Sequence, residues 1–333
     1  MNDRPEIDDS LSGASTLKLP CDPSDASASV DWLRNRYMKT VRDPIFNDAL
    51  EEILETDHDG RLTARPQRIG LIKETRGILV VGHTGDGKTA LIRRNLTRHP
   101  SIGLTEGIEP GKALYLRVPP EATLKGVATK ILTETGYGRV QEKINTSVVW
   151  DMAIHRLSGR GITILWIDEA HHMFRLSKEV DAVLRRMKSL MQGETSLALI
   201  VSGIRFLDEK IQTDAETSER FSRVRLGPIR SDQERRDLRK FIDLCCSFVD
   251  LSPVTDPDLV ARLEFATRGS IGRSIEFCHS AVHRALRRGD RTLTLDDFRR
   301  GFDLKRGFSD DGPFDPEDWP VLKDILEKKG WSA

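Results

Sequence analysis

One stretch of eight residues limits the fold more than any other. Gly82-His83-Thr84-Gly85-Asp86-Gly87-Lys88-Thr89 follows the pattern glycine, four residues, Gly-Lys-Ser/Thr. Ahead of it, Gly77-Ile78-Leu79-Val80-Val81 is apolar and β-branched without alternation, as a strand buried on both faces must be. Behind it, Ala90-Leu91-Ile92-Arg93-Arg94-Asn95-Leu96 has the spacing of an amphipathic helix. A strand that ends in a glycine turn and feeds a helix gathers backbone N–H groups and a helix N-terminus at one point, which is how a polyphosphate is held. Gly82 through Ala90 are therefore the expected nucleotide contacts. Lys88 is expected at the β- and γ-phosphates, and Thr89 at Mg²⁺ through its hydroxyl. Asp86 is an odd residue for such a loop, because an acid facing inward would oppose phosphate; it is expected to face solvent.

A second strand supplies the complementary chemistry. Ile162-Thr163-Ile164-Leu165-Trp166-Ile167 is apolar and ends in Asp168-Glu169. A carboxylate at the C-terminal end of a parallel strand sits at the rim where phosphates lie. Asp168 is the expected Mg²⁺ holder, and Glu169 the group that orients and deprotonates an attacking water. Asp168-Glu169-Ala170-His171 also spells a helicase box, but that reading needs two tandem nucleotide-binding sheets, and the chain has strands for one. His171 and His172 could suggest a metal, yet no third ligand is evident nearby in sequence. Leu197–Ser202 reads as a strand whose terminal Ser202 is expected to touch the γ-phosphate or the water.

Strand and helix alternate along the middle of the chain. Strands are expected at Ile78–Val81, Ala113–Val118, Ile162–Ile167, Leu197–Ser202 and Arg223–Leu226, with helical stretches between them. That alternation implies a five-stranded parallel sheet sandwiched by helices. After Pro228 the strand signal stops and four helical stretches follow, the first opened by Ser231 and Glu234 as a capping box. The expected organisation is a disordered tail over 1–28, a nucleotide-binding α/β domain with N-terminal helices over 29–230, a helical lid over 231–305, and a C-terminal tail over 306–333 that could bind a partner. In that tail Trp319, Leu322, Ile325 and Leu326 could form one short amphipathic helix.

Composition excludes little. Lys+Arg and Asp+Glu balance at 52 each, so net charge argues neither for nor against nucleic acid. No apolar run reaches the ~18 residues of a membrane helix, and no secretory signal opens the chain, so a cytoplasmic protein without a membrane partner is expected. Cys21, Cys245, Cys246 and Cys278 lack metal-ligand spacing, and the adjacent pair reads as reduced core.

Two arginines have suggestive positions. Glu219-Arg220-Phe221-Ser222-Arg223 precedes the last strand, where an arginine can project into a neighbouring subunit's nucleotide site; Arg220 is the first candidate and Arg223 the second. Such fingers contribute roughly 10³–10⁵ in rate in related phosphoryl transfer. Arg273 opens a lid helix in Arg268-Gly269-Ser270-Ile271-Gly272-Arg273 and could lean onto the γ-phosphate.

With these residues in order, the chain resembles AAA+ ATPases over roughly residues 70–300. More narrowly it is similar to the TniB/TnsC family of ATP-dependent transposition regulators. The resemblance rests on Trp32-Leu33-Arg34-Asn35-Arg36-Tyr37, the glycine loop, His99-Pro100, Trp166-Ile167-Asp168-Glu169-Ala170-His171, Glu219-Arg220-Phe221 and Gly269-Ser270-Ile271-Gly272-Arg273. It implies ATP and Mg²⁺ as cofactors and a homo-oligomeric ring or filament around duplex DNA. It also implies contacts with a transposase and a target-selection protein, and disassembly on hydrolysis. By the same resemblance, backbone contacts to DNA map onto Thr123, Lys125, Lys130, Arg139 and Lys143. No aromatic-basic interleaving accompanies them, which argues against sequence-specific reading. A second basic cluster comprises His283-Arg284, Arg287-Arg288, Arg291, Arg299-Arg300 and Lys305-Arg306; charge of this kind also serves solubility or subunit contacts. Competing readings are a secretion-associated ATPase of the ExeA type, a signalling P-loop NTPase without DNA binding, and a small-molecule kinase. The ExeA class usually carries a membrane or wall-binding module, and such kinases rarely pair Asp-Glu with a helical lid.

Overall fold

The computed structural model describes Leu19, Asp22 and residues 25–105, 111–141, 143–175, 179–306 and 312–329. Two compact units are present. Arg42–Leu226 forms one, and residues up to Val41 join Gly227 onward to form the other. In chain order the elements are α1 (Ala26–Arg34), α2 (Arg42–Ile53), β1 (Leu54–Thr56), β2 (Leu62–Pro66), β3 (Gly77–Val81), α3 (Lys88–Arg98), β4 (Leu104–Thr105), β5 (Ala113–Arg117), α4 (Leu124–Glu134), α5 (Thr146–Gly159), β6 (Ile164–Asp168), α6 (Val180–Leu190), β7 (Ala198–Gly203), α7 (Arg205–Ile211), α8 (Ala215–Ser218), β8 (Phe221–Arg225), α9 (Asp232–Phe248), α10 (Leu259–Thr267), α11 (Ile271–Arg288), α12 (Leu295–Arg306) and α13 (Trp319–Lys329).

The first unit is built on a parallel sheet of order β4-β5-β6-β7-β3-β8. Every residue of β3, β6 and β7 is buried, because helices cover both faces of these central strands. The sheet's two faces feed separate cores. One gathers Leu79, Leu116, Ile131, Trp150, Leu165, Met187 and Val201; the other gathers Phe46, Leu50, Ile78, Val80, Ile92, Trp166 and Ile200. Alternate residues of one strand point to opposite faces, so Ile78 and Val80 enter one core while Leu79 and Val81 enter the other. Because β7 lies between β3 and β6, the ends of all three strands open on one rim with β7 in the middle.

The five expected strands are present, and the structure adds two features. The two-residue strand β4 extends the sheet to six by pairing with β5. It is too short to carry a period in sequence. A separate antiparallel hairpin, β1–β2, follows α2. Asp57-His58-Asp59-Gly60 is its turn: Asp57 Oδ1 accepts from the N–H groups of Asp59 and Arg61, and Gly60 takes φ +75°.

The second unit is helical. Its core joins Leu238, Phe241, Ile242 and Leu263 to Phe277, Val282 and Phe298. The capping box at Ser231 and Glu234 forms as expected. Cys245, Cys246 and Cys278 are buried free thiols within this core, and Cys21 lies outside the described residues.

Three boundaries differ from the sequence reading. Helix α1 begins at Ala26, capped by Asp25, ahead of the expected start at 29. Its Val30 and Leu33 pack into the helical core, so this segment belongs with the helical unit and not with the nucleotide-binding one. An apolar helix face does not by itself say which core it joins. The C-terminal helix forms at Trp319–Lys329, but its aromatic anchors are consumed by its own unit. Trp319 is buried and its Nε1–H donates to Asp258 at 2.9 Å, and Phe314 stacks on Phe277 and Phe298. Of the expected tail 1–28, all but Leu19, Asp22, Asp25 and the start of α1 lies outside the described residues.

Candidate functional site

The loop between β3 and α3 takes the backbone shape its glycines allow. Gly85 and Gly87 sit at φ +89° and +86°, and Gly87 precedes the first helical residue, Lys88. Gly82 is fixed by crowding instead: a Cβ there would stand 2.9 Å from both Cβ and O of Leu226. Lys88 is buried, and its ammonium donates to the carbonyls of Gly82 and His83, both at 2.9 Å. Burial pushes its pKa below the usual lysine value, against the opposing pull of Glu169, Asp86 and Asp168. The ammonium is thus held by loop carbonyls that a phosphate would displace.

Asp86 does not face solvent. It is 5% exposed, and its Oδ2 accepts from the His83 N–H at 2.6 Å. The carboxylate tucks under the loop, 3.1 Å from where a Gly82 Cβ would stand. The loop's own backbone supplies the donor that makes this burial affordable. On the outer side, the buried guanidinium of Arg42, at the start of α2, donates to the Asp86 carbonyl at 3.4 Å. Nothing in the motif pattern pointed to Arg42.

Asp168 is the hub of the site. Its carboxylate accepts from Thr89 Oγ1 at 2.9 Å, Ser202 Oγ at 2.6 Å, Tyr115 OH at 3.4 Å and its neighbour Glu169 N–H at 3.0 Å. The Trp166 indole N–H donates to Ser202 Oγ at 2.9 Å, completing a Trp166–Ser202–Asp168 relay across β6 and β7. Ser202 is fully buried beneath Asp168, so it orients that carboxylate; the expected direct contact with phosphate or water is not what its position provides. Burial and the nearby Asp168 charge raise the Tyr115 pKa, keeping it a neutral donor. Tyr115 was missed because a lone tyrosine in an apolar strand carries no motif. A hydroxyl and a carboxylate side by side, all oxygen, form a donor set suited to Mg²⁺ and not to a soft metal.

Glu169 holds a left-handed backbone, φ 55° and ψ 33°, where non-glycine residues are rare. That turn starts the short 3-10 helix Ala170–Phe174. It brings His171 Nδ1 within 3.4 Å of the Glu169 carboxylate, and the two histidine rings lie 4.1 Å apart. The expectation that no third ligand accompanies His171 and His172 is therefore corrected: ligand atoms of Glu169, His171 and His172 lie within 4.8 Å of one another. Burial lowers both histidine pKa values, so the rings are neutral at physiological pH.

The finger candidates are otherwise engaged. Arg220 is 3% exposed, and its Nη2 pairs with Glu74 at 2.5 Å and Glu216 at 2.9 Å. Arg223 pairs with Asp208 at 2.9 Å and donates to Ser218. Neither projects from the unit. Arg273 lies in the first turn of α11, in the helical unit. Among the expected DNA contacts, the Thr123 hydroxyl is taken as the N-cap of α4 by Gly126 N–H, and Lys130 donates to the Arg117 carbonyl at 2.9 Å. Lys125 is half-buried, while Arg139 and Lys143 are exposed between α4 and α5. The side chains of Lys305 and Arg306 lie outside those described.

A glycine loop, a strand-end Asp-Glu pair and a parallel sheet with a helical unit define a P-loop ATPase of the AAA+ class. Solved structures of that class share the fold. The Aeropyrum pernix ORC1 protein in complex with DNA aligns at TM-score 0.53 and 20% identity, over 68% of this chain and 59% of that one. The Aeropyrum pernix ORC2 protein, in ADPNP-ADP complexes, aligns at 0.51 and 14%, over 69% and 62%. Cdc6p from Pyrobaculum aerophilum aligns at 0.53 and 12%, over 86% and 68%. The chain thus spans less than two thirds of the length of the first two. No curated protein sequence matches it. The family model for the bacterial TniB protein matches residues 50–230, more than half the chain, and the chain belongs to that family. No described helix is long and apolar enough to cross a membrane.

Proposed function

We propose that this chain is an ATP-switched regulator of DNA transposition. In this reading it binds Mg²⁺-ATP, assembles with copies of itself on duplex DNA, engages a transposase and a target-selection protein, and disassembles on hydrolysis. The observation that carries the nucleotide chemistry is the meeting of Thr89 and Asp168 at 2.9 Å, directly beside a left-handed glycine loop. Membership of the TniB family supports the transposition context.

Each residue has a separable task. The loop N–H groups and the α3 N-terminus bind phosphate oxygens. Lys88 exchanges its carbonyl partners for them. Thr89 and Asp168 would hold Mg²⁺, which would supply neutralising charge at the phosphates. Tyr115 and Ser202 fix the Asp168 carboxylate. Glu169 orients the water and takes its proton, with neutral His171 bordering its carboxylate. Duplex contact needs only cations and N–H groups at phosphates, a role proposed for Lys125, Arg139 and Lys143.

Electron microscopy of the chain with ATP and random-sequence duplex tests the reading. Rings or filaments that need both components support it. A nucleotide-loaded chain that stays monomeric and ignores duplex at low salt sinks it.

A further inference from the structure

Helix α1 and two consecutive helices remote from it in the chain, α11 and α12, build a cationic pocket in the helical unit. A cavity of about 430 Å³ is lined by Arg34 from α1, by His283, Arg284, Arg287 and Arg288 from α11, and by Arg300 from α12. The α11 members stand one turn apart on the face opposite its buried Cys278, Ala281, Val282 and Ala285, so the charge is focused to one side. Asp297 is the one acid in the lining. Its carboxylate is fully buried and already shared between Thr294 and Arg288.

One guanidinium of the pocket has a defined seat. Arg284 donates to the Asp297 main-chain oxygen at 3.1 Å and lies against Gly301 of α12. A Cβ on Gly301 would fall 2.5 Å from Arg284 Nη1 and 3.0 Å from its Cζ, so the glycine leaves room for a guanidinium that an alanine would push aside. Arg287 is exposed and has no ion pair among the described residues. Arg34 and Arg300 pair with Asp31 and Asp296 only at the surface, where such pairs are worth little and exchange readily. The local field is positive: burial first, then Arg287, Arg34 and Arg284, lower the His283 pKa, outweighing Asp31.

We propose that this pocket binds backbone phosphates of duplex nucleic acid, giving the helical unit its own DNA contact. The inference rests on the DNA-binding reading above and deepens it. Forked guanidiniums match phosphate oxygens bidentately. The lining holds no large apolar side chain, and an acidic peptide would lack the anchor that peptide docking relies on.

The test is fluorescence anisotropy of the full chain with a random-sequence duplex, titrated from about 50 to 200 mM salt. Arg34→Ala/Arg287→Ala should weaken duplex binding about tenfold at the low end and flatten the slope of log K against log salt by about one to two. Arg287→Lys keeps the charge without the fork and should recover only part of the loss seen with Arg287→Ala alone. Gly301→Ala leaves net charge unchanged but displaces Arg284, and should also weaken binding. Thermal melts check folding, and ATP affinity should match the unaltered chain throughout. Unchanged affinity and slope in the double variant overturn the pocket while leaving the wider reading intact. A chain that binds ATP but no duplex overturns the wider reading itself. Tripolyphosphate or poly-glutamate binding that is lost in the double variant, with duplex binding untouched, assigns the pocket to another anion and also overturns the proposal.

Discussion

The guanidinium of Arg220 lies 2.5 Å from the carboxylate of Glu74, inside one chain. Glu74 stands on the segment leading into β3, and the Arg220 carbonyl accepts from Gly77 N–H at 2.8 Å, so the pair clamps the P-loop strand to the segment before β8. A buried guanidinium needs carboxylates, and Glu74 and Glu216 supply them. Arg220→Ala should therefore lower stability by roughly 2 kcal/mol, less than a fully buried pair because both acids are partly exposed. ATPase activity should fall at every protein concentration. A trans-acting finger behaves differently: mixing Glu169→Gln with Arg220→Ala subunits would restore activity. Recovery on mixing would refute the clamp.

Asp86 places a negative charge under a phosphate-binding loop while bonding the His83 N–H. Asp86→Asn keeps an acceptor and removes the charge, so ATP should bind several-fold tighter by calorimetry. Asp86→Ala removes both and frees the loop, taking the acceptor from the part-buried His83 N–H at about 1 kcal/mol, the usual net worth of a hydrogen bond. Its melting temperature should drop where that of Asp86→Asn holds. Weaker ATP binding by Asp86→Asn would contradict the electrostatic argument.

Binding and hydrolysis should separate. Lys88→Ala removes the ammonium poised over the loop, and nucleotide binding should be lost. Glu169→Gln leaves the loop and Asp168 untouched, so binding should persist while turnover falls by about 10²–10⁴, the usual contribution of a general base. Equilibrium binding and steady-state phosphate release measure the two independently. Equal loss of binding in both variants would dissolve the division of roles.

Ser202→Ala should act through the metal. It strips one donor from Asp168 and leaves the Trp166 N–H unpaired, costing about 1–3 kcal/mol of stability. The readout is the Mg²⁺ concentration needed for half-maximal activity, which should rise severalfold. A fall in turnover with an unchanged Mg²⁺ requirement would instead favour direct contact with phosphate.

The sequence displayed the fold wherever period and chemistry coincide. The five longer strands, the glycine loop and Asp168-Glu169 were legible because burial on both faces and phosphate binding each demand particular residue types at particular places. What escaped depended on partners remote in the chain. Glu74 is nearly 150 residues from Arg220, and nothing in Glu219-Arg220-Phe221 shows that the arginine turns inward. Tyr115 and Ser202 converge on Asp168 only through strand order. Arg42 reaches the loop from a helix outside the motif. The fate of α1 was hidden for the same reason, since an amphipathic face does not name the core it joins.

The helical unit should lose stability in mild acid chiefly through one residue. His279 is 4% exposed, its Nε2 is buried without a hydrogen-bond partner, and burial, with a smaller contribution from Arg34, pushes its pKa down to about 4. The folded value lies below the ordinary 6.5, so between these two pH values the unfolded chain binds a proton that the folded one refuses. Stability from this group is complete above pH ~6.5, declines as pH falls, and levels off below pH ~4, with a total loss of roughly 3 kcal/mol. His279→Leu keeps an apolar group against Phe241 and removes the titration. Denaturant melts at pH 7 and pH 4.5 should show a clearly smaller difference for His279→Leu than for the unaltered chain. An identical acid loss in both would mean that His279 does not carry it.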